Sequence, residues 1–264
     1  MEIKFIILSL RTEEREILNN YNKKILPEIK IVKSINGYDI NETINELKKT
    51  NLNYYNLKFK TYGTLANFLT KYNILKFQIE NKIPYLCFLE DDLKLKKNFK
   101  QYVINLVNEK YIKNKNKNKI NMIRLFRWGE GYITSLNGAK NIIDLINKEG
   151  IVSNIDDQLR LLCGPEYRVP IWSRNNNNPS KPPAKLIHRE NTGDCMKTKN
   201  FKNKEICKSL NIDQNLPSHP ILNYNEYCNP VVNWVKDRDN YAPKYMLVKP
   251  CMYDCSKCKK NIVN

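Results

Sequence analysis

Long apolar runs are missing from this chain of 264 residues. No stretch approaches the roughly 20 apolar residues that a membrane-spanning helix requires, so no membrane span is expected. The start also lacks the marks of a secretory leader. Residues 3–10 are apolar, but Glu2 precedes them, Lys4 interrupts them and no small-residue cleavage site follows. Histidine is scarce: His188 and His219 are the only two, and both fall late. Acid is scarce relative to base, with 27 Asp+Glu against 45 Lys+Arg, a formal net charge of +18. Such an excess points to anionic partners: nucleic acid, a membrane surface or phosphorylated small molecules. Much of it is lysine travelling with asparagine, isoleucine and tyrosine, residues with A/T-rich codons, so base composition is a competing source of the charge. Disorder is not the default reading, because 41% of the residues are hydrophobic, enough for a packed core. The expectation is a soluble, cytoplasmic protein, with a virion or host compartment left open.

What is present begins with an anomaly. In Tyr85-Leu86-Cys87-Phe88-Leu89-Glu90-Asp91-Asp92 an apolar run meets three consecutive carboxylates. The run reads as a buried strand. The acids cannot share its burial unpaired, so the chain must surface at Glu90. At the carboxyl end of a parallel strand, where open α/β folds gather ligands, three adjacent acids suggest a divalent cation and a phosphorylated ligand. In an extended segment Glu90 and Asp92 project to one side and Asp91 to the other.

The remaining pattern is α/β. Residues 3–10 predict a strand. A helix follows, with Thr12 as N-cap and Ile17, Leu18, Tyr21 and Ile25 as its apolar stripe; a second strand spans 30–35. Leu65, Phe68, Leu69, Tyr72, Leu75 and Ile79 recur at helical spacing over 64–82, and Pro84 ends that helix. Further helices are predicted over 98–111, 135–147 and 155–163, with strands at 121–126, 131–134 and, at an edge because of Pro170, 168–172. The Lys/Asn alternation at 113–119 reads as a solvated loop. Asn- and Pro-rich residues 174–183 read as a linker. They separate a domain over 1–173 from an irregular extension over 184–264, on the acceptor side or a structural appendage, which holds six of the eight cysteines. In that extension Cys251, Cys255 and Cys258 are spaced like part of a structural Zn²⁺ site, with disulfides and free thiols as alternatives.

The order of motifs resembles family 25 of the glycosyltransferases, the lipopolysaccharide-type and collagen galactosyltransferase-like sugar transferases. The resemblance rests on Ile6-Ile7-Leu8-Ser9-Leu10 followed by Arg15, on Ser34-Ile35-Asn36-Gly37-Tyr38-Asp39, and on Gly63-Thr64-Leu65-Ala66-Asn67-Phe68. It continues through Leu89-Glu90-Asp91-Asp92-Leu93, residues 131–139 and Asn154-Ile155-Asp156-Asp157. One departure falls inside these motifs: the family's Ser-His is Asn67-Phe68. The resemblance implies a GT-A type, Rossmann-like mixed sheet flanked by helices. It also implies a metal-dependent, inverting transfer of galactose or glucose from a UDP-sugar to a glycan or protein hydroxyl. Mn²⁺ or Mg²⁺ suits oxygen ligands, with Asp92 as direct ligand and Glu90 assisting or touching the nucleotide ribose. Arg15 and Asp91 are assigned to the nucleotide sugar, and His188 to completing the metal shell. Asp156 or Asp157 would act as base toward the acceptor; a helix cap explains that pair equally well. Two rivals remain: a basic nucleic-acid-binding protein, which the placement of aromatics on apolar helix faces disfavours, and a catalytically inactive transferase fold serving as a binding module.

Overall fold

A computed structural model of the chain describes residues 1–10, 13–52, 62–115, 120–126, 129–151, 154–156, 158–159, 167–168 and 184–186. The apolar runs form the strands that the sequence predicts. Strand β1 (Ile3–Ser9) pairs in parallel with β2 (Lys30–Lys33) on one side and with β3 (Tyr85–Glu90) on the other. Beyond β3 the sheet turns mixed. β6 (Gly131–Ser135) runs antiparallel to β3, β5 (Met122–Arg124) antiparallel to β6, and β7 (Tyr167–Arg168) parallel to β5 at the edge. The order across the six strands is β2-β1-β3-β6-β5-β7.

Side chains alternate across this sheet and feed two cores. Ile6, Leu8, Leu86 and Phe88 face α2 (Ile40–Lys49), α3 (Tyr62–Glu80) and α5 (Leu136–Glu149). Phe5, Ile7, Cys87 and Leu89 face the other way, toward α4 (Phe99–Val107), the π-helical turn Asn108–Ile112 that extends it, and the residues closing α1 (Glu13–Ile25). Both faces are therefore covered, as a largely parallel sheet demands. The β1–β2 connection runs over one face and the β2–β3 connection over the other. The carboxyl ends of β1 and β3 meet at such a switch point, where open α/β sheets gather ligands, and the acidic triplet lies there.

The α1 stripe differs from expectation. Ile17 is 69% exposed and Tyr21 is also exposed, whereas Asn19 and Asn22 are buried. The reason is a short strand that the sequence pattern does not announce, β4 (Leu93–Leu95), which pairs antiparallel with β8 (Ala184–Leu186) along one edge. Its other edge has backbone groups to satisfy, and Asn22 does so. Its Nδ2 donates to Leu93 O at 2.6 Å, and Leu95 N donates to its Oδ1 at 2.9 Å. Asn19 likewise donates to Ser9 Oγ at 3.0 Å. Buried main-chain groups without partners are costly, so this helix turns amide side chains inward. Replacing Asn22 with Ala is expected to lower stability by about 2 kcal/mol in urea denaturation; Ile17→Ser on the exposed face should change it by less than about 0.5 kcal/mol.

Among the described residues no helix is long and apolar enough to cross a membrane.

Candidate active site

The three acids at the end of β3 diverge, each toward a different element. Asp91 turns to the β1–α1 junction. Its Oδ2 accepts from Leu10 N at 3.2 Å, and its Oδ1 lies 3.3 Å from the Arg15 guanidinium. Burial raises the Asp91 pKa, against the opposing pull of Arg15. Asp91 and Arg15, both assigned to ligand binding from the sequence, thus pair with each other at the β1–α1 junction.

Glu90 turns the opposite way, to α3. Asn67 Nδ2 donates to its Oε1 at 3.2 Å, and Lys71 Nζ reaches the same oxygen at 2.8 Å. Of the Asn67-Phe68 pair, the asparagine therefore touches the acidic site, while Phe68 is fully buried in the core. Main-chain pairing fixes the strand end, with Glu90 N donating to Glu130 O at 2.8 Å.

Asp92 follows where the chain turns toward β4. Its Oδ1 is buried and accepts no hydrogen bond among the described residues. Burial, then the neighbouring carboxylates of Glu90 and Glu130, push its pKa up to about 8, with Arg15 opposing and Asp91 adding to the rise. A buried carboxylate oxygen without a donor, beside other acids, is unfavourable when ionised unless a proton or a cation joins it. The donor set is all oxygen, which suits Mg²⁺ or Mn²⁺. Ions of the Mg²⁺ type commonly take one or two carboxylates and complete their shell with water and substrate phosphate. Among the described residues no group of three His, Cys, Asp or Glu side chains could hold a metal unaided. The residues present fit a cation bound together with a phosphorylated ligand.

Sequence reasoning missed Lys71. It is 2% exposed and lies midway along α3. Its ammonium reaches Glu90 Oε1 at 2.8 Å, Asp156 Oδ1 at 3.2 Å and Gly129 O at 3.1 Å, and it sits 5.1 Å from the centre of the Tyr132 ring. Burial alone would lower its pKa, but Asp156 and Glu90 reverse that and hold it above the usual lysine value. The amine is therefore a fixed cation. Asp156 Oδ1 also accepts from the Tyr132 hydroxyl. Gly129 has a positive φ of 95°, and a Cβ there would collide with the Asp156 carboxylate and the Tyr132 hydroxyl, so the close approach requires glycine. One signal was visible in the sequence: Lys71 falls three residues after Phe68, inside the buried stripe.

Asp157, His188, Cys251, Cys255 and Cys258 lie outside the described residues, as do the 174–183 linker and the extension apart from β8. Cys87, read as a core residue, is buried in β3 with its thiol pKa raised by burial.

The described body is a mixed α/β sheet flanked by helices, consistent with a Rossmann-like glycosyltransferase fold. Residues 1–128 match the model of glycosyltransferase family 25 (LPS biosynthesis protein). The resemblance carried by the motifs at 6–15, 34–39, 63–68 and 89–93 is thereby borne out. The match ends before the motifs at 131–139 and 154–157. No curated protein matches the chain.

Proposed function

We propose that the protein is a metal-dependent hexosyltransferase of GT-A type, transferring galactose or glucose from a UDP-sugar to a hydroxyl of a glycan or protein acceptor with inversion. The observation that carries this reading is the buried, undonated Oδ1 of Asp92 at the switch point of the sheet. Asp92 would hold Mn²⁺ or Mg²⁺, with Glu90 beside it. His188, assigned to the same shell by the family resemblance, lies outside the described residues. The bound ion would screen the donor diphosphate as a Lewis acid.

The chain's own groups divide the remaining work. The Asp91–Arg15 pair fixes the β1–α1 junction and keeps a guanidinium near the anionic donor. Deprotonating the acceptor falls to Asp156 or Asp157. Asp156 has Oδ1 committed to Lys71 and Tyr132, so only its Oδ2 is available as a base.

The inactive-module reading keeps one observation in its favour: Lys71 already neutralises part of the acidic cluster. A donor screen separates the two. Hydrolysis of UDP-galactose or UDP-glucose is expected with Mn²⁺ and lost with EDTA. Absence of hydrolysis across several nucleotide sugars, with Mn²⁺ present, would reject the enzyme reading.

A further inference from the structure

We propose that Lys71 is a built-in cation that holds Glu90 and Asp156 back from the metal, so that a divalent ion binds well only together with a diphosphate. The inference rests on the metal-dependent reading of the site and deepens it.

Lys71 is enclosed by α3, the strand end at Glu90, the turn at Gly129 and the helical residue Asp156. An ammonium has three protons to donate, and three acceptors surround this one: Glu90 Oε1, Asp156 Oδ1 and Gly129 O. The Tyr132 ring covers a further side, an arrangement that favours a cation. Each carboxylate is thus tied through one oxygen only. Glu90 Oε2 and Asp156 Oδ2 accept no hydrogen bond among the described residues.

The electrostatic consequence is competition. A metal ion drawing on Glu90 must share it with an ammonium that is already in place and loses no translational freedom by staying there. Like charges at that separation repel. Asp92, which makes no contact with Lys71, remains the acid open to the ion. One strong carboxylate is a poor site alone and a good one once phosphate oxygens join. Lys71 therefore makes cation binding conditional on the donor. A purely structural lysine would make no such distinction.

The test titrates the full-length chain with Mn²⁺ alone and with Mn²⁺ in saturating UDP, by calorimetry, in wild type, Lys71→Met and Asp92→Asn. In the wild type, UDP is expected to tighten Mn²⁺ binding by about tenfold or more, within the range of coupled sites. Lys71→Met should bind Mn²⁺ alone about tenfold more tightly than wild type and lose most of the UDP coupling. If Lys71→Met does not fold, as judged by circular dichroism, Lys71→Met/Asp156→Leu takes its place. It frees Glu90 while removing one uncompensated acid, and the same tightening is expected. A folded variant that binds Mn²⁺ alone no more tightly than wild type overturns the role of Lys71, while UDP-dependent Mn²⁺ binding that Asp92→Asn abolishes still supports the metal site. Absence of Mn²⁺ binding to the wild type, even with UDP, overturns both.

Discussion

Asp92→Asn is expected to abolish sugar transfer and, in the absence of metal, to make the protein more stable. The native pKa of Asp92 is raised to about 8 from an ordinary 3.8. Between those values the folded state holds a proton that the unfolded chain releases. The contribution of Asp92 to stability is therefore fully present below about pH 4 and is lost as pH rises toward 8. Above pH 8 the folded protein carries a buried, undonated anion, a net cost. Asparagine removes that cost without changing the size of the side chain. The gain should be absent at pH 4 and grow to about 2 kcal/mol at pH 8, near 5 °C in melting temperature for a chain of this size. The figure follows the ordinary cost of a buried polar group left without a partner. Metal-free melts at the two pH values, run beside a transfer assay, check this directly. A melting temperature that falls at pH 8, or transfer that survives, contradicts the assignment.

Lys71→Met should have the opposite effect on stability, a loss of about 3 kcal/mol near neutral pH. The ammonium is fully buried, and Glu90 and Asp156, each about a quarter exposed, would lose their counter-charge together. Breaking a buried pair from one side is costlier than removing the whole pair. The double variant Lys71→Met/Asp156→Leu should therefore recover more than half of the loss. Urea denaturation of the single and double variants at pH 7 measures both effects. A single variant within about 0.5 kcal/mol of wild type would show that the ion pairs contribute nothing at equilibrium.

The fold was legible where one physical signal dominated. β1 and β3 are apolar over Phe5–Leu8 and Leu86–Leu89 because both sheet faces are covered there, and α3 kept its helical period over 19 residues. The acidic end of β3 was legible for the same reason: three charges cannot follow a buried strand without marking a surface. β4 was not, since three residues carry too little pattern and its partner β8 lies some ninety positions on. The orientation of α1 was misread because hydrophobicity was the only criterion. Its inward face is set by the main-chain groups of β4, which need amides rather than apolar side chains. Lys71 was missed on similar grounds. A lysine beside an apolar stripe normally reaches solvent, and what holds this one inside is Asp156, 85 residues later. Asp156 itself was singled out as a base or a cap; its bonds to Lys71 and Tyr132 are long-range and invisible to spacing.

The antiparallel pairing of β3 with β6 bears on how the chain divides. Family likeness stops at residue 128, yet β6 begins at Gly131 and takes up the whole of one side of β3, from Tyr85 to Leu89. A fragment cut at the end of the likeness would present the central strand as an open, apolar edge, a template for pairing with its own copies. It would also strand Lys71 without Gly129 or Asp156. The stretch matched by the family model is thus shorter than the stretch that covers the edge of β3.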